Sequence, residues 1–171
     1  MKRNIRNLVY SSIFLCLSVL APLIFHMSGL AGAVFLPMHI PVLLCGLMTG
    51  QLNGMIVGML APMLGFLLTG MPPLSPIPIA LLMSCELGAY GFFAGFLHLG
   101  LMKNLFLSLF SAMLCGRAVL AYAVFLLSTL AGYNISWTDY LKVGVVTGLP
   151  GICCQILLVP LIYRILEKYR I

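Results

Sequence analysis

Residues 77–99 read IPIALLMSCELGAYGFFAGFLHL, and Glu86 is the one formally charged side chain in the run. A helix of this length rises about 34 Å, enough to cross a hydrocarbon core of roughly 30 Å. A carboxylate at that depth is costly in lipid, so it must face protein or a cavity. The quoted stretch therefore poses a question to the rest of the chain: whether it supplies enough similar segments to enclose Glu86, and a cation to meet it.

The composition answers the first half. Hydrophobic residues make up 63% of the chain, charged residues 7%, and the mean hydropathy is +1.17. That leaves too little polar surface to coat a soluble globule. Apolar runs bounded by Pro, Gly or charge fall at 8–25, 36–48, 51–69, 77–99, 104–131 and 142–163. Most reach spanning length, while 36–48 is short and is expected to cross incompletely, with the loop before it dipping into the protein. The reading is an all-α integral membrane protein, a six-transmembrane-helix bundle forming one domain over residues 1–171.

The net charge of +6 does not point to nucleic acid, because the basic residues sit at the ends of hydrophobic runs. Lys2, Arg3 and Arg6 precede the first run, Lys103 lies between the fourth and fifth, and Arg164, Lys168 and Arg170 follow the sixth. With six crossings these share one side, which the positive-inside bias makes cytoplasmic. Both termini are then cytoplasmic, in the plasma membrane. The start, MKRNIRNLVYSSIFLCLSVLA, also has the pattern of a signal peptide. It is expected to stay uncleaved, since its loss would split the basic ends across the membrane.

Small residues recur at helix-packing spacing: Gly50, Gly54 and Gly58; Gly88, Gly91 and Gly95; Gly144 and Gly148. Such spacing lets backbones approach closely where lipid removes the hydrophobic drive for association. Ser11, Ser12, Cys16 and Ser18 make a small-residue patch on the first helix, suited to bundle packing or to a partner protein. The six cysteines show no CxxC spacing and lie within helical runs, so they read as small packing residues, not as disulfides or a zinc site.

The cation that meets Glu86 is expected to be Arg117. The fourth run heads inward and the fifth outward, placing both side chains on the order of 18 Å from the cytoplasmic edge. Their pairing can lock two helices, contact a substrate, or do both. Beyond them, His26 and His39 flank the outer segment FHMSGLAGAVFLPMHIP, and the next outer connection, TGMPPLSPIPIA, carries four prolines. Proline restricts a loop before any ligand arrives. Pro37 and Pro41 fit a helix start surrounded by protein, from which His39 is expected to project toward the centre of the outer face. Trp137 is either an interface anchor or a stacking surface. Together with Gln155, these residues describe a pocket open to the outside. The chain has no GxSxG elbow, HExxH motif, phosphate-binding loop or paired carboxylates in one segment. No ATPase site, cofactor or metal is expected, and no proton or sodium relay is evident.

A basic N-terminus, six short helices, PMHIPVLLCG opening the second, TGMPP ending the third and ELGAYGFFAG in the fourth together resemble the substrate-binding S components of energy-coupling factor (ECF) vitamin transporters, over essentially the whole chain. The resemblance implies a subunit of an ECF-type ABC importer. It captures a vitamin or precursor at the outer face and reorients against a transmembrane scaffold driven by two ATPase subunits. It implies ligand contacts at His26, His39, Glu86, Tyr90, Arg117, Trp137 and Gln155. It also implies scaffold contacts at Ser12 and Cys16, where the family usually has an alanine-x3-alanine pattern. Pairing LPMHIPVLLCG with TGMPP is most similar to the branch thought to carry α-ribazole or dimethylbenzimidazole. Three other classes remain open on the residues alone: a small intramembrane enzyme holding a metal at His26, His39 and Glu86, a scaffold or assembly factor with no ligand, and an ion-coupled carrier working without ATPase partners.

Overall fold

The computed structural model describes residues 2–27, 35–102, 104–130 and 148–169, and their apolar runs form helices. These are α1 (Lys2–Met27), α2 (His39–Thr49), α3 (Gln51–Thr69), α4 (Ile79–Phe96), α5 (Leu105–Leu130) and α6 (Leu149–Lys168), with a π-helical turn, Leu97–Met102, extending α4. Five of them are long and apolar enough to cross a bilayer. The exception is α2, whose 11 residues rise only about 16 Å. Of the six expected crossings, five are met by helices of spanning length.

The short helix is the most enclosed. Every residue of α2 except Ile40 is buried, and it packs against α1, α3, α4 and α6. A helix apolar on all sides is stable only when surrounded. Its start explains the two prolines. Pro37 lies before the first helical residue, and Pro41 is the third residue of the helix, where a missing N–H leaves no intrahelical bond unmade. The His39 N–H donates to the Leu36 carbonyl at 3.1 Å, and Leu36 takes a positive φ of 49°, a conformation uncommon outside glycine. The proline-rich connection between α3 and α4 contains cis bonds at Met71–Pro72 and Ser75–Pro76.

Glycines bring α2, α3 and α4 into backbone contact. A Cβ built on Gly54 would stand 2.6 Å from the Gly46 Cα and 2.8 Å from the Gly91 carbonyl carbon, and one on Gly95 would stand 2.5 Å from the Gln51 nitrogen. Cβ atoms on Gly58 and Gly91 would likewise strike the backbones of Leu87 and Gly54. The spacing read as packing thus serves packing, apart from Gly50. That residue forms the turn between α2 and α3 with φ 104°, which a side chain would resist. Gly148 precedes α6, and Gly144 lies outside the described residues.

A polar ladder ties α1 to this core. Asn7 Nδ2 donates to the Thr49 carbonyl at 3.3 Å, and Ser11 Oγ donates to the Asn7 carbonyl at 2.8 Å and to Thr49 Oγ1 at 3.5 Å. The small-residue patch of α1 is therefore split: Ser11 and Ser18 face inward, while Ser12 and Cys16 are exposed. The cysteines are less uniform than expected, for Cys45 is buried but Cys16 and Cys153 are exposed.

The same contacts set the two ends of the bundle. Asn7 meets Thr49, Gly95 meets Gln51, and His98 on the π turn meets Tyr163. The start of α1, with Lys2, Arg3 and Arg6, therefore lies at the end reached by Arg164 and Lys168. His39 and the cis prolines lie at the other.

Gly91→Ala is expected to destabilise the protein by about 1–3 kcal/mol by forcing α3 and α4 apart. Gly100→Ala, where an added Cβ meets nothing within 4 Å, should stay within about 0.5 kcal/mol of the parent. Thermal unfolding of the two variants in detergent checks this ranking.

Candidate functional site

Glu86 sits in the middle of α4, and one turn later Tyr90 lies on the same face, as i,i+4 residues do. Both are buried, at 4% and 1% exposure. From α5, Arg117 reaches across so that its Nη1 lies 3.0 Å from Glu86 Oε1. The expected pairing forms. Tyr90 lies close to both charged groups. Its ring lies against α5 because residue 116 is glycine: a Cβ there would collide with the Tyr90 ring.

α2 contributes His39. Its Nε2 lies 3.9 Å from Glu86 Oε2, too long for a hydrogen bond, and its ring meets the Tyr90 ring edge-on at 5.3 Å. The enclosure of α2 is what brings an imidazole to this depth. Neither His39 ring nitrogen has a hydrogen-bond partner among the described residues. The same holds for both amide atoms of Gln155 on α6, which is fully buried. Its neighbours Ile152 and Ile156 line a cleft of about 140 Å³ with Tyr90, Arg117, Phe110, Met113 and Leu114. The cleft thus lies between α4, α5 and α6, with the guanidinium in its wall.

The structure brings His39, Glu86, Tyr90 and Arg117 together and sets Gln155 on the helix turn beside the cleft. His26 belongs to the last turn of α1, but its side chain, like Trp137 entirely, lies outside the described residues. Among the described residues no three His, Cys, Asp or Glu side chains converge as metal ligands. The trio imagined for an intramembrane metal enzyme rests on His39 and Glu86 alone there.

Sequence reading missed two features. One is Gly116, which carries no signal of its own and matters only because Tyr90 lies against it. The other is a chain of polar contacts at the basic end, where His98 Nε2 lies 3.0 Å from the Tyr163 hydroxyl and that hydroxyl donates to Glu167 Oε1 at 3.2 Å. The Tyr163–Glu167 spacing of four residues on one helix face was the available clue. A wider cleft of about 330 Å³, lined by Asn4, Ile5, Asn7, Leu8 and Asn53, opens at that same end, remote from Glu86.

A buried charge that loses its partner costs more than the pair contributes, whereas removing both charges together is often tolerated. Arg117→Met is expected to cost about 3–5 kcal/mol. Combining it with Glu86→Leu should recover much of that loss, and a double-mutant cycle on unfolding free energies measures the coupling.

A family model described as the substrate-specific component of ECF transporters matches residues 6–163, from the first turns of α1 to Tyr163 on α6. No curated protein and no solved structure matches the chain. With nine-tenths of its length under that match, including each residue of the buried cluster, the chain belongs to the family of ECF transporter substrate-specific components.

Proposed function

We propose that this chain is the high-affinity substrate-binding subunit of an ECF-type ABC importer for a vitamin or vitamin precursor. Family membership makes it a substrate-binding transporter subunit and not an enzyme in itself; the rest is our reading. The observation that carries it is the polar group of His39, Glu86, Tyr90 and Arg117, assembled inside an apolar bundle beside a cleft. Buried ionisable groups in membrane helices are expensive, and ligand handling is a common reason to keep them.

In this reading six segments lie in the plasma membrane, α2 incompletely, with both termini cytoplasmic. The end carrying His39 and the prolines faces outward. Substrate enters there and contacts His39, Glu86, Tyr90, Arg117 and Gln155, with His26 and Trp137 contributing from the same side. A transmembrane scaffold and two ATPase subunits drive the reorientation that releases it. The exposed Ser12 and Cys16 on α1 meet the scaffold, since small outward residues let a partner helix approach closely. The substrate is α-ribazole or a related benzimidazole, a reading supported by the resemblance of LPMHIPVLLCG and TGMPP to that branch. A flat, uncharged heterocycle also suits an aromatic wall and a self-neutralising ion pair.

Mass spectrometry of what leaves the purified protein on denaturation is expected to identify a benzimidazole compound, and adding that compound back should raise the unfolding temperature. The proposal fails if metabolite screening gives no thermal shift and affinity purification recovers no ATPase. Replacing Ser12 and Cys16 together by Phe should leave the ligand-induced shift intact and lower ATPase recovery on the order of tenfold. Unchanged recovery would put the scaffold contact on another face.

A further inference from the structure

Given that His39, Glu86, Tyr90, Arg117 and Gln155 form the substrate site, we infer that the site selects an uncharged planar molecule able both to donate and to accept hydrogen bonds, and rejects its carboxylated or phosphorylated counterparts. Charge is the first argument. Among the described residues, Glu86 and Arg117 are the two formal charges set between the helix ends, and they neutralise each other at 3.0 Å. An anionic ligand that draws Arg117 toward itself competes for the cation of a carboxylate that is 4% exposed. Breaking a buried pair in this way is worth on the order of a hundredfold or more in affinity.

Hydrogen-bonding capacity is the second. His39 Nδ1 and Nε2 and Gln155 Oε1 and Nε2 are buried without partners among the described residues. A neutral imidazole offers one donor and one acceptor, an amide offers both, and a carboxylate such as Glu86 can only accept. Donors and acceptors are both left over, so the complementary molecule must offer both. A site with buried polar atoms awaiting partners discriminates strongly against analogues that lack the matching groups.

Shape is the third. The cleft beside Arg117 is walled by Tyr90 and by Phe110, Met113, Leu114, Ile152 and Ile156, which suits the apolar face of a ring system. The donors and acceptors must then lie on the edge of that ring or on a substituent reaching His39 and Gln155.

The test is a thermal-shift screen of the full-length protein in detergent with two pools. One holds neutral purines, pyrimidines, benzimidazoles and their nucleosides; the other holds the matching 5′-monophosphates and ring carboxylates. At least one neutral compound is expected to raise the unfolding temperature, with its anionic counterpart binding at least about a hundredfold more weakly. An anionic compound binding as tightly as its neutral parent overturns the inference while leaving the substrate-binding reading intact. No shift from either pool overturns that reading and this inference with it.

Two variants probe the assignment of roles against the neutral compound and its phosphate. Glu86→Gln, which leaves Arg117 as a net positive charge, should cut the discrimination against the phosphate at least about tenfold. Gln155→Leu should weaken the neutral compound at least about tenfold and leave the charge preference standing. Retained discrimination in the first, or unchanged affinity in the second, counts against the inference. If Glu86→Gln does not fold, Gln155→Leu and the paired pools decide alone.

Discussion

The backbone of Gly91 lies where a side chain on Gly46 or Gly54 would have to stand. This three-way contact governs the interior of the molecule. Once apolar side chains can rest in lipid, they give helices little reason to associate, and close backbone packing supplies it. At this crossing the absence of side chains on α2, α3 and α4 is itself the attractive surface. Because the helices meet so closely, α2 can sit wholly inside the bundle although it is too short to span. With α2 held there, His39 stands beside Glu86 and Tyr90.

The buried pair stands beside α2 in that placement. Glu86 and Arg117 come from helices that neighbour each other in space, and each would be intolerable at this depth without the other. Tyr90 closes the group from the same helix face as Glu86, its ring admitted by Gly116. The group is neutral overall and keeps hydrogen-bonding capacity on His39 and Gln155. In the proposed reading these atoms select the substrate, since unpaired buried polar atoms discriminate better than apolar walls do. The polar ladder of Asn7, Ser11 and Thr49 plays a different part, attaching the otherwise exposed α1 to the core. The face of α1 that points away, with Ser12 and Cys16, is left to lipid or to a partner.

Much of this was legible in the residues. Apolar runs gave the helices, because length and hydropathy decide what can cross a bilayer. Charge at their ends gave the shared basic end, and the two ionisable residues at membrane depth gave the pair, because few other arrangements tolerate them. The glycine spacing pointed to close helix packing, and the structure places it where α2, α3 and α4 meet. Less readable was the difference between Gly50, which turns the chain, and Gly54, which packs, for spacing alone cannot separate conformational need from contact. The cysteines were read as small packing residues, yet small size makes a residue acceptable inside without placing it there, and Cys16 and Cys153 are exposed. Gly116 and the His98–Tyr163–Glu167 chain left little mark, since each exists through partners distant in sequence.

The sequence by itself determined that the chain is a membrane-embedded helical protein, where its helices run, and that Glu86 needs Arg117. These follow from the cost of putting polar groups into hydrocarbon, a property each segment carries alone. Only the tertiary structure decided that α2 is the enclosed centre, that His39 faces Tyr90 and Glu86, and that Gln155 is sealed beside the cleft. Those facts depend on which backbones touch, and close contact between surfaces from distant parts of the chain is a property no single segment holds.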